Sequence, residues 1–168
     1  MSSEKQNLID RFSDASGKLV AWLTLFMVIV TFIIVVMRYV FDAGLIWLQE
    51  SVIWMHAAVF MLGAAYTLRH EGHVRVDVFY RNMSQRRRAW VDTLGVLVFL
   101  LPLCGLLAVK SFDFAFTSWS MHEASRESGG LPYPVLPLVK TVLVIMPVAV
   151  GLQGLSLLQR SLACLRNK

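Results

Sequence analysis

Four long apolar runs, separated by short polar stretches, dominate the chain. Residues 19–37 include no charged side chain, and at about 1.5 Å per residue such a run approaches the roughly 30 Å of bilayer hydrocarbon. With the turn that follows, the first predicted span is drawn at about 19–41. The second, about 45–68, is interrupted only by Gln49, Glu50 and His56. The third, about 89–117, carries Asp92 near one end and Lys110 near the other, and the fourth, about 135–158, has Lys140 close to its start. Each run is apolar all round instead of alternating, which predicts helices and not the strands of a barrel. The pattern is that of an all-α integral membrane protein with four transmembrane helices, a single membrane domain over residues 1–168.

Between spans two and three, Val76, Phe79, Tyr80 and Met83 recur at helical spacing, while Arg75, Arg81, Ser84, Gln85 and Arg88 take the opposite side. That periodicity predicts an amphipathic helix over about 73–88, lying in the headgroup layer. Its arginines, Arg75, Arg81, Arg86, Arg87 and Arg88, would bind phospholipid headgroups at about 1 kcal/mol each. An irregular basic loop is one alternative, and a short strand from the alternation of Val74, Val76 and Val78 is another.

Composition agrees with the pattern: 57% of the residues are hydrophobic and the mean hydropathy is +0.61. A formal charge of +5 raises nucleic acid as a partner, but the basic residues flank apolar runs instead of lining one polar face, which excludes that class. They gather before span one (Lys5, Arg11, Lys18), between spans two and three (Arg69, Arg75, Arg81, Arg86, Arg87, Arg88) and after span four (Arg160, Arg166, Lys168). The positive-inside rule assigns all three groups to the cytoplasm, so both termini are expected inside. The outer face then receives only residues 42–44 and 118–134. The first apolar run is too long for a signal-peptide core and lacks a cleavage site after it, so a retained anchor is expected. Cys104 and Cys164 fall at different predicted depths and suggest neither a disulfide nor a metal site.

Polar residues within the membrane zone are the candidate functional positions. In a hairpin turning near Ala43 and Gly44, Arg38 and Glu50 lie at similar depth and can pair, with Trp47 beside them as an interface anchor. The alternative has Arg38 snorkelling to phosphate and Glu50 facing water. His56 falls near mid-membrane, where one interhelical hydrogen bond or a contact with a partner subunit would satisfy it. Haem ligation would need a second imidazole at that depth, and His70, His73 and His122 lie at or beyond span ends. Lys110 and Asp113 are three residues apart, and Glu123 or Glu127 is placed to reach Lys140. Pro102 with Gly105 and Pro147 with Gly151 are expected to kink spans three and four. Paired interruptions also mark carrier sites, which leaves open a small four-span carrier acting as a homo-oligomer. No glycine-rich phosphate loop, nucleophile elbow or zinc-protease motif occurs. No catalytic residue, metal or cofactor is expected, and the chain is read as a non-enzyme.

Four motifs together carry a resemblance. They are R-Y-V-F from Arg38, W-x-x-E from Trp47 to Glu50, L-R-H-E-G-H-V-R-V-D-V from Leu68, and S-x-x-S-G-G-L-P from Ser125. In order and spacing the chain resembles the small membrane subunit of TRAP transporters, the DctQ-type family. The resemblance implies a bacterial inner-membrane system of three parts: a periplasmic solute-binding protein, a large sodium-coupled carrier subunit for organic acids, and a small subunit bound to the large one. It implies for this chain a static scaffold role, with a share in docking the binding protein. The motif positions Arg38, Trp47, Glu50, Gly72, His73, Asp77, Gly130 and Pro132 would then be structural or interface residues.

Overall fold

The structure is a computed structural model, and it describes residues 8–69 and 83–166. Four helices account for nearly all of them: α1 (Leu8–Val40), α2 (Ile46–Arg69), α3 (Gln85–Ser120) and α4 (Val135–Arg166). All four are long and apolar enough to cross a membrane. The helices overrun the expected spans because helical hydrogen bonding continues where apolar sequence stops.

The segment expected as an interfacial helix, about 73–88, lies mostly outside the described residues, and so do Gly72, His73, Arg75, Asp77 and Arg81. Its final residues have a different setting from the one expected. Ser84 is extended, and Gln85, Arg86, Arg87 and Arg88 form the first turn of α3 itself. Arg88 is held there, its Nε donating to the Met83 carbonyl at 3.1 Å.

Helix α4 is the hub and touches the other three, whereas α1 rests mainly on α2. The buried positions of α3 and α4 are mostly small: Ala89, Thr93, Cys104, Ala115 and Ser118 on one, Gly151, Gly154, Ser156 and Ser161 on the other. Small side chains let two backbones approach where lipid offers no hydrophobic drive to associate. Gly154 shows the requirement directly, since the Leu100 side chain fills the space a Cβ would need. Thr93 satisfies its buried hydroxyl on the Ala89 carbonyl at 2.7 Å. Among the described residues no buried side-chain nitrogen or oxygen lacks a hydrogen-bond partner.

Pro102 does not break α3. The turn before it, Gly95–Leu100, widens into a π-helix, which relieves the clash of a proline ring with the carbonyl four residues earlier. Pro147 is buried within α4.

Candidate functional site

Both hairpin connections fall at one end of the bundle, here called the turn end. The first is a tight turn in which the Ala43 N–H donates to the Met37 carbonyl at 2.9 Å and Asp42 takes a φ of 51°. The second connects α3 to α4, and its residues make most of the site.

Glu50, one turn into α2 and half-buried, receives two hydrogen bonds from that second connection. The Ser125 hydroxyl donates to Oε1 at 2.5 Å and the Leu131 N–H donates to Oε2 at 2.8 Å. The connection is itself closed into a small loop: the Ser125 N–H donates to the Leu131 carbonyl and the Gly130 N–H to the Glu127 carbonyl, both at 3.0 Å. The Glu127 N–H donates to the Ser125 hydroxyl at 3.1 Å. Two glycines make the closure feasible. Gly129 has a φ of 79°, and a Cβ on Gly130 would sit 2.8 Å from Glu50 Oε2 and collide with Ser125. The carboxylate thus stands under the loop and fastens the α1–α2 hairpin to the α3–α4 hairpin.

A second carboxylate closes the neighbouring corner. Glu123 accepts from the buried Ser118 hydroxyl at 2.6 Å and pairs with Lys140 of α4. The Lys140 ammonium also lies 4.0 Å from the centroid of the Phe114 ring, a cation–π contact. That ammonium first, and the Ser118 hydroxyl second, hold the Glu123 carboxyl below the usual carboxylate range. Aromatic groups complete the corner: Trp119 Nε1 donates to Thr141 at 3.0 Å, and Tyr133 lies edge-on to Trp119 with centroids 6.1 Å apart. His122 tilts against the same Tyr133 ring at 4.9 Å.

The structure corrects the expected Arg38–Glu50 pair. The two were placed at one depth, but the carboxylate is directed to the loop, while Arg38 is exposed and makes no ion pair among the described residues. Depth in a hairpin says nothing about which way a side chain points around its helix axis. The signal for the actual partners was present in the sequence: W-x-x-E and S-x-x-S-G-G-L-P supply an acceptor and a glycine-bordered pair of donors. Of the two acids within reach of Lys140, Glu123 is the one it binds. Lys110 and Asp113 are both exposed and form no ion pair with each other among the described residues. Trp47 is 47% exposed, at the turn end as an interface anchor would be. Pro132 is exposed on the loop, and His56 faces outward from α2.

At the opposite end a cavity of about 240 Å³ lies beneath the end of α2, lined by Arg88, Asp92, Gln153, Arg160 and Ser161 among others. The first four of these are all engaged in polar or electrostatic contacts. Among the described residues no three His, Cys, Asp or Glu side chains gather as metal ligands would.

A bundle of four membrane-length helices, its two hairpins joined at one rim through a carboxylate, defines a multi-pass membrane protein. Residues 27–167 match the DctQ component of tripartite ATP-independent periplasmic transporters, and the chain belongs to that family. It is also 26% identical over 127 residues to the C4-dicarboxylate TRAP transporter small permease protein DctQ of Vibrio cholerae, a match that covers 75% of this chain and 54% of that protein. The chain therefore spans about half the length of that curated relative. No solved structure matches it. The W-x-x-E stretch ending at Glu50 and the S-x-x-S-G-G-L-P stretch from Ser125 are, in space, the two sides of one hydrogen-bonded joint.

Proposed function

We propose that the protein is the small accessory subunit of a tripartite, binding-protein-dependent secondary transporter for organic acids, coupled to sodium and seated in the bacterial inner membrane with both termini cytoplasmic. Its task is to widen and steady the stationary scaffold of the large carrier subunit. Its fastened rim, the periplasmic face in this orientation, also serves as part of the docking surface for the solute-binding protein. The arginines at the cytoplasmic ends anchor it to phospholipid.

One observation carries the reading. Glu50, the acid within α2, accepts the Ser125 hydroxyl on one oxygen and the Leu131 N–H on the other. A carboxylate that held and released a substrate or a coupling ion would face a path near mid-membrane, and this one joins two hairpins at the rim instead. Family membership supports the three-part assembly.

The test is reconstitution. Vesicles holding this protein alone should be silent, and uptake should appear only with the large subunit and the binding protein, with which it co-purifies as a membrane complex. Sodium-driven uptake by vesicles of this protein alone, abolished by Glu50→Gln or His56→Ala, would overturn the reading in favour of a homo-oligomeric carrier.

A further inference from the structure

Helix α2 bears an outward stripe of alternating polar and apolar residues that is largely uncovered among the described residues. Ile46, Gln49, Ile53, His56 and Phe60 follow one another at spacings of three and four, the order in which one helix offers a seam to another. Ile53 is 63% and Phe60 78% exposed, and His56 is exposed between them. His56 stands near the midpoint of a helix running from Ile46 to Arg69, so its ring lies about 15 Å from either membrane surface. Lipid tails offer that ring neither donor nor acceptor, and an intramembrane polar side chain without a partner is costly. Gln49, seven residues towards the turn end, adds a half-buried amide on the same line.

We propose that this stripe is the seat for a transmembrane helix of the companion membrane subunit, one that presents a hydrogen-bonding side chain to His56 at mid-bilayer depth. The proposal rests on reading the protein as an accessory subunit and names the face that reading requires. A second copy of this chain is the weaker occupant. Parallel packing about a two-fold axis would set each imidazole against its twin, so that one ring N–H finds an acceptor and the other does not. A helix carrying a carbonyl, hydroxyl or carboxylate at that depth has no such shortfall.

The experiment uses the complete transporter in native membranes. A photo-crosslinking phenylalanine analogue is placed at Ile53 and Phe60, with Phe32 of α1 and Val109 of α3 as exposed comparison sites. Irradiation should join Ile53 and Phe60 to the large subunit. In parallel, His56→Leu should lower recovery of the assembled complex roughly three- to tenfold, the range of one intramembrane hydrogen bond. His56→Gln should restore most of it, and neither change should alter the melting temperature of the isolated protein. Adducts only to lipid or to a second copy at Ile53 and Phe60, while the protein still co-purifies with the large subunit, would overturn this inference and leave the proposed function standing. Failure to co-purify at all would overturn both.

Discussion

The two rim carboxylates, Glu50 and Glu123, stand at the same end of the bundle and are both half-buried, yet they are held by opposite means. Glu50 is bound by neutral donors 75 and 81 residues away along the chain. Glu123 is bound by a hydroxyl and an ammonium only 5 and 17 residues away. The first joins two hairpins, and the second closes one. Fastening by uncharged donors is little screened by salt, and fastening by a cation is weakened by it.

Substitutions should separate the two. The largest effect is expected from Glu50→Ala, which leaves the Ser125 hydroxyl and the Leu131 N–H unpaired together and frees one hairpin from the other. Its apparent melting temperature in detergent should fall further than that of any Glu123 or Lys140 variant. An equal fall for Glu123→Ala would erase the distinction. Next comes Gly130→Ala, whose added methyl group collides with Ser125 and Glu50 and should cost about 2 kcal/mol by the same assay.

The third effect depends on pH. The folded carboxyl of Glu123 titrates below its ordinary value of 4.5, so its contribution is complete above that value and is lost as pH falls below it, through the folded pKa. Lys140→Met should flatten the acid limb of stability against pH, with Arg126 as the remaining nearby cation. An unchanged acid limb would show that other groups set it. The smallest effect should belong to Arg38→Ala, because the side chain is exposed. A change within about 0.5 kcal/mol is expected in the isolated protein. Combined with Glu50→Ala it should be additive, and measurable coupling would restore the direct pair.

The four helices were legible in the sequence because an uncharged run of membrane length leaves the backbone no other solution. Their ends were less so. Polar residues at both ends of the third and fourth spans set the membrane boundary, but the helical ladder runs on to Gln85 and Arg166. The Lys140–Glu123 contact was among the readings because Glu123 lies on the short connection that leads into the helix carrying Lys140, which leaves few partners. The Glu50 joint was not foreseen, because a long-range partner is fixed by how the hairpins rotate against each other. That rotation is decided by side-chain packing, which periodicity does not report. His56 was marked as an intramembrane polar group, but no sequence pattern told whether it looked inward or outward.

The unequal lengths of the apolar helices have a further consequence. The two longest candidate spans, Gln85–Ser120 and Val135–Arg166, exceed the others in part by charged turns, since α3 opens on Arg86, Arg87 and Arg88 and α4 closes with Arg160 and Arg166. With the two hairpins pinned together at Glu50, the surplus projects at the far end. The far rim therefore carries a collar of guanidinium groups, whose long stems let the charge reach the level of the lipid phosphates while the apolar turns stay in hydrocarbon.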